Sequence, residues 1–392
     1  MNTSLAFILL FALLLSYLFR KIRLPELTGM LLLGLVMGPQ MLKLIDPTLM
    51  NISAELRQIA LVIILLRAGL MLNLKELKKV GRSALLMTFV PALCEITAIM
   101  LLAPSLLGVT LIEAAIIGTV LAAVSPAVII PKMIELTEKR RGTQAGIPQM
   151  IMAAGAVEDV FMIVLFTAAI GLATGEAVSV TTLLSIPAAI ATGIILGLIA
   201  GGGLSLYFRR FHLRDTVKVL IVMSISLLIL ALEQLLKGVF PLSGLLAVMT
   251  IGATIFATHK PLASRLSAKY TKLWIAAEIL LFVLIGAQLD ISSTLFGIDK
   301  FIPLIFFALL ARMGGVLLCL IRTSLAWRER LFCIIAYMPK ATVQAAIGAI
   351  PLAMGLDCGN TVLTLAVLSI LITAPLGAFL IDITQKHLLR DE

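Results

Sequence analysis

Thirteen runs of predominantly apolar residues, most close to twenty residues long, follow one another along this chain with short polar connections between them. A helix needs about 20 apolar residues to cross ~30 Å of hydrocarbon, and so many runs of that length do not fit inside a soluble core. Hydrophobic residues make up 61% of the chain and charged residues 13%, against about 25% charged in an average soluble domain. The expectation is an all-α polytopic membrane protein, a single transmembrane domain over 1–392. The first run, "SLAFILLFALLLSYLF", carries its positive charges after it in "RKIR" rather than before it, so it reads as a retained helix and not a signal peptide.

The expected spans are 3–19, 27–45, 57–72, 83–105, 111–131, 146–173, 180–208, 217–236, 240–258, 271–289, 301–321, 329–353 and 360–385. Charge tests the count. With the N-terminus outside, 24 of the 31 Lys and Arg residues fall on the inner side. Lys43, Arg57, Lys237 and Lys300 fall outside, and Arg67, Arg312 and Lys340 fall within apolar runs. One span more or fewer would destroy that asymmetry, so the positive-inside rule supports a cytoplasmic C-terminus in a cell (inner) membrane. The net charge of +10 is thereby assigned to topology and not to nucleic acid. Cys94, Cys319, Cys333 and Cys358 lack metal-ligand spacing and read as small apolar helix residues.

Two spans contain breakers. The fifth reads "GTVLAAVSPAVIIPK", with Ser125 and Pro126 in its middle; the twelfth reads "FCIIAYMPKATVQAAIGAIPL", with Pro339 and Lys340 there. Proline removes an N–H and clashes with the preceding turn, so both helices are expected to unwind. Unwound backbone at membrane depth is tolerated only where protein or a water-filled cavity satisfies it. The two spans are seven apart and so run in opposite directions. Spans 1–6 and 8–13 then form two inverted six-helix repeats joined by span 7, with crossed discontinuous helices marking a transporter site.

Intramembrane charges point to the same place. Span 4 carries Glu95, span 6 carries Glu158 and Asp159, and span 11 carries Arg312. Each costs on the order of 2.5–3.5 kcal/mol at a helix centre, and so defaults to a functional hypothesis. Glu158 and Asp159 point about 100° apart on a helix and cannot share one task. One can face a cation cavity while the other meets a basic partner. A carboxyl that exchanges its proton can hold a small hard cation instead, which is the chemistry of cation/proton exchange. Glu95 and Arg312 read as a buried pair between two core helices, either holding the core together or modulating the carboxylates. Lys340 is expected to compensate the negative end of the half-helix that stops before it, or to be a purely structural charge. Glu113, Glu233, Asp290 and Asp357 map to span ends and read as solvated; Glu278 and Gln288 stay ambiguous.

"AAVSPAVIIPKM", "GIPQMIMAAGAVEDV", "LARMGG" and "YMPKATVQAAIGAIPL" together resemble the monovalent cation:proton antiporter superfamily, within it the NHA branch of sodium/hydrogen exchangers. The resemblance runs from span 2 to span 13. It implies a homodimer with panel helices at about 3–72 and 217–289, core helices at about 83–173 and 301–385, and a linker helix at about 180–208. It also implies that Asp159 is the ion- and proton-carrying aspartate, that Arg312 fills a position held by lysine in electrogenic relatives, and that Glu95 and Lys340 match acidic and basic core positions. Glu158 departs from the aspartate or asparagine usual before the key aspartate.

The expected function is exchange of Na+ or Li+ for H+ with Asp159 as shared carrier, without a cofactor. The alternatives are K+/H+ exchange and organic-anion symport on the same inverted-repeat fold. A channel is disfavoured because no filter-like loop or ring of repeated charges is present in the sequence. An enzyme is disfavoured because no nucleophile–base set sits at plausible spacing.

Overall fold

The computed structural model describes residues 1–22, 24–72, 81–174, 180–236 and 240–390. Arg23, the connection 73–80 and Lys237, which enter the charge count above, lie outside the described residues. Every element among the described residues is helical. In chain order these are α1 (Asn2–Lys21), α2 (Glu26–Met37), α3 (Pro47–Asn51), α4 (Ser53–Met71), α5 (Arg82–Leu107), α6 (Leu111–Leu121), α7 (Pro126–Glu138), α8 (Ile147–Ala173) and α9 (Val180–Arg210). There follow α10 (Asp215–Leu236), α11 (Gly244–Thr258), α12 (Lys260–Gln288), α13 (Ile291–Leu320), α14 (Trp327–Ala336), α15 (Thr342–Ile347), α16 (Ile350–Ala353) and α17 (Gly359–Leu388).

Eight of these helices are long and apolar enough to cross a bilayer. Of the other five expected spans, four are shorter or interrupted, and the 19-residue α4 is set apart by its charges. Span 5 divides into α6 and α7, and span 12 into α14, α15 and α16, at the breakers named above. Span 2 is helical only to Met37, because Gly38 is extended (ψ 175°) and Pro39 follows. A residue before proline is pushed out of the α region. The chain then folds back, with the N–H groups of Leu44 and Ile45 donating to Met37 O at 3.0 and 3.2 Å. Span 9 is the 15-residue α11, and span 3 is α4, which carries Glu55, Arg57 and Arg67.

The described residues form two compact units. One comprises Met1–Ser53, Leu74–Met162 and Leu281–Glu392. Its spine is α5 packed along α13, with α6 beside α5 and α17 against α6, α7 and α14. Met87, Ile129, Ile151, Val316, Phe332 and Ile381 meet in its apolar core. The other comprises Ala54–Asn73 and Ile163–Leu280, in which α9 and α10 pack on α11. Large apolar side chains such as Leu101, Leu206 and Leu235 are exposed, as lipid-facing positions must be.

Close helix contacts carry a symmetry that hydropathy alone does not reveal. In the first unit, a Cβ on Gly34 of α2 would lie 2.0 Å from Val283 O, and one on Gly286 of α12 would lie 2.2 Å from Leu31 O. In the second unit, a Cβ on Gly69 of α4 would lie 2.2 Å from Met249 O, and one on Gly252 of α11 would lie 2.8 Å from Leu66 O. These contacts join spans 2 with 10 and 3 with 9, which are equivalent pairs under an inverted repeat of spans 1–6 and 8–13. Small residues let backbones approach where lipid offers no hydrophobic drive for association.

Substituting Gly286→Ala forces α2 and α12 apart. Over-packing of this kind costs about 1–3 kcal/mol. Thermal unfolding of the detergent-purified protein is therefore expected at lower temperature, with a smaller effect for Gly314→Ala, whose Cβ would meet open space.

Candidate functional site

The two breaks meet in the first unit. Ser125 N–H, at the start of α7, donates to Pro339 O at 2.8 Å, so each break supplies one of the other's missing backbone partners. The last carbonyls of α6 and α14 have no intrahelical donor and carry the negative end of each half-helix dipole. Both are met by cations. Arg312, on α13, donates from Nε to Tyr337 O at 2.8 Å and from Nη1 to Ala122 O. Lys340 Nζ donates to Leu121 O.

The same two cations hold two carboxylates. Arg312 Nη2 binds Glu158 through both oxygens, at 2.8 and 3.0 Å, while its Nη1 lies 3.2 Å from Glu95 Oε2. Lys340 Nζ lies 2.6 Å from the other Glu95 oxygen. The result is a chain Lys340–Glu95–Arg312–Glu158, with every member 1% exposed or less. Two positive and two negative charges cancel within it. The Arg312 guanidinium also lies 5.1 Å from the centroid of the Tyr337 ring, whose hydroxyl donates to Met87 O at 3.2 Å.

Asp159 stands outside this network. It is half-buried on α8, and its Oδ1 is buried without a hydrogen-bond partner among the described residues. One turn earlier on α8, a Cβ on Gly155 would lie 3.3 Å from Val124 Cγ1, so this helix face abuts the first break next to Ser125. Ser125 Oγ is likewise buried without a partner.

The structure therefore brings together Glu95, Ser125, Glu158, Arg312, Pro339 and Lys340, with Pro126 opening α7 beside them. Two readings need correction. Lys340 does not compensate the half-helix that ends before it; it reaches the end of α6, the crossing half-helix, and Arg312 serves Tyr337 O instead. Glu95 and Arg312 are not an isolated pair but the middle of a four-residue chain. Beyond the crossing, Glu113 closes a capping box with Thr110, and Glu233 turns back on the N-terminal N–H of α11 at Gly244; neither is simply solvated.

Sequence reasoning missed three participants. Tyr337 is aromatic in an apolar run and gives no polar-pattern signal. Gln344, fully buried on α15, donates from Nε2 to Leu121 O and Ala123 O at 3.1 and 2.7 Å. An amide within an apolar run two residues past a helix restart was a visible signal. Lys132 donates to both Asp382 oxygens at 2.6 Å, tying α7 to α17, although it reads as a connection charge in the sequence.

With this geometry in place, comparison with known proteins decides the family. The family model described as "Sodium/hydrogen exchanger, transmembrane" matches residues 7–385. The chain belongs to the sodium/hydrogen exchanger family. It is 32% identical over 382 residues to human sodium/hydrogen exchanger 9B2, covering 94% of this chain and 70% of that protein. It is 34% identical to the Xenopus tropicalis 9B2 protein, covering 86% of this chain and 64% of that one. Among solved structures, the sodium proton antiporter MjNhaP1 from Methanocaldococcus jannaschii superposes with a TM-score of 0.82 at 21% identity, covering 98% of this chain and 97% of that one. At that identity the likeness establishes the fold: a multi-pass helical membrane protein of the antiporter type.

Stability should separate the network from Asp159. Removing one partner of a buried ion pair costs about 3–5 kcal/mol, because a charge is left uncompensated. Arg312→Met is therefore expected to lower the unfolding temperature sharply, and Asp159→Asn to leave it unchanged or raise it, in a thermal melt of the two purified variants without added Na+.

Proposed function

We propose that this exchanger moves Na+ (or Li+) one way and H+ the other by alternating access, with Asp159 as the shared carrier. One observation carries the assignment. Glu95 and Glu158 are neutralised by Arg312 and Lys340, whereas Asp159 has a buried oxygen with no partner. A carboxylate at membrane depth without a basic partner must bind either a proton or a cation, and the two compete for the same oxygens. The relatives' names, sodium/hydrogen exchangers, agree with that chemistry. Arg312 and Lys340 are both spent on carboxylates and carbonyls, which among the described residues leaves no free cation at the crossing to receive an organic anion.

Glu158 holds Arg312 through both oxygens, so on this reading it keeps its charge through the cycle. One proton then exchanges for one cation. The transporter works without a cofactor, as a homodimer in the cell membrane with its N-terminus outside and its C-terminus in the cytoplasm. Panel helices at about 3–72 and 217–289 flank a moving core at about 83–173 and 301–385, joined by the helix at about 180–208. Support for that division comes from the position of the crossing, whose residues lie on or beside α5, α6, α7, α8, α13, α14, α15 and α17, all within the expected core ranges.

In proteoliposomes with an imposed pH gradient, Na+-driven proton flux is expected to disappear in Asp159→Asn; wild-type-like flux in that variant would reject the carrier assignment. Because proton and cation share one site, lowering the pH should raise the apparent KM for Na+ and leave the rate at saturating Na+ little changed. With the membrane potential clamped by valinomycin and K+, one-for-one exchange predicts no dependence of the Na+ flux on voltage. A current accompanying exchange would show that a second group, with Glu158 the first suspect, also gives up its proton.

A further inference from the structure

Buried oxygens without partners are costly, about 1–3 kcal/mol each. They occur at several places among the described residues, Thr28, Ser243 and Gln385 included; at or beside the helix crossing, besides the ion-paired Glu95, they are those of the fully buried Ser125 and Gln344 and the half-buried Asp159. Gln344 is the least ambiguous. Its Nε2 donates to Leu121 O at 3.1 Å and to Ala123 O at 2.7 Å. Carbonyls accept and cannot donate, so the nitrogen must face them and the amide cannot be flipped. That spends both N–H donors, one on the end of α6 and one on the unwound segment that leads to Ser125. It holds Oε1 turned away from them, buried and with no hydrogen bond.

An amide carbonyl fixed in this way is a neutral, hard oxygen donor, the kind that a desolvated alkali cation needs beside a carboxylate. We infer that Gln344 is a cation ligand of the exchange site, its Oε1 supplementing Asp159 and Ser125 Oγ around Na+ or Li+. The inference rests on the exchange reading above and deepens it by naming a neutral ligand from the second repeat. Asp159 and Ser125 belong to spans 6 and 5 of the first repeat, and Gln344 to span 12 of the second. A site that draws donors from both half-helices is sensitive to their relative position. Being neutral, the Gln344 donor distinguishes cations by size and desolvation without changing the charge moved per cycle. Losing it should therefore alter selectivity more than proton handling.

The test uses purified full-length protein in proteoliposomes, comparing wild type with Gln344→Leu, which removes the amide, and Gln344→Asn, which keeps an NH2 on a shorter stem and retracts the oxygen. The expected result is a rise in the apparent KM for Na+ of roughly tenfold in Gln344→Leu, the scale of one lost polar ligand contact. The ratio of the Li+ and Na+ KM values should change in both variants. Wild-type KM and ratio in a folded variant would overturn the inference. So would a lower maximal rate with KM and ratio unchanged, which marks a role only in holding the break. If Gln344→Leu does not fold, Gln344→Asn carries the same two outcomes, and Na+-induced thermal stabilisation gives a second reading. A right-shifted Na+ titration in Gln344→Asn supports a ligand role, and a titration superimposable on wild type opposes it. Absence of Na+/H+ exchange in the wild type would instead remove the reading on which the inference rests.

Discussion

The hub of the crossing is the guanidinium of Arg312. Its donors reach Glu158, Glu95, Ala122 O and Tyr337 O, so one side chain neutralises two carboxylates and serves the open ends of two half-helices. Arginine suits this because its planar fork presents five donors in fixed directions and stays charged under any condition the protein meets. A lysine would supply charge without the fork. Were Arg312 withdrawn, Glu95 would keep Lys340, but Glu158 and both breaks would lose buried partners.

That arrangement explains how broken helices persist at membrane depth. Each break exposes carbonyls that lipid cannot satisfy. The structure answers them mostly with donors from the opposite repeat: Ser125 N–H to Pro339 O, and Lys340, Gln344 and Arg312 to the end of α6 and the residue after it, while Arg312 also serves Tyr337 O in its own repeat. Once these partners are counted, the charges of the network balance, and Asp159 on the neighbouring face of α8 is left over. A balanced surround matters for exchange. On the proposed mechanism Asp159 alternates between a proton and a cation, and its surroundings need not change protonation with it.

Much of this was legible in the chain. Apolar run lengths and the prolines at 126 and 339 mark most of the spans and the two breaks, since each depends only on local composition and covalent geometry. The span boundaries that moved did so for local reasons also. Gly38 before Pro39 stops α2 early, a signal present in the sequence but outweighed by the apolar residues that follow. Glu113 as a capping residue was equally readable from Thr110 three positions before it.

Partnership among the buried charges was not legible. Arg312 lies 217 positions from Glu95 and 154 from Glu158, and nothing local selects one carboxylate over another. The choice depends on how α5, α8, α13 and the two breaks pack, where a shift of an ångström decides whether a hydrogen bond exists. For the same reason nothing local shows that Lys340 serves the end of α6 rather than that of α14, or which way the amide of Gln344 turns. The sequence by itself determined that two carboxylates must sit side by side in the membrane, about 100° apart on one helix. Only the tertiary structure decided that Glu158 meets Arg312 while Asp159 keeps an oxygen free, because that depends on which neighbour each helix face meets.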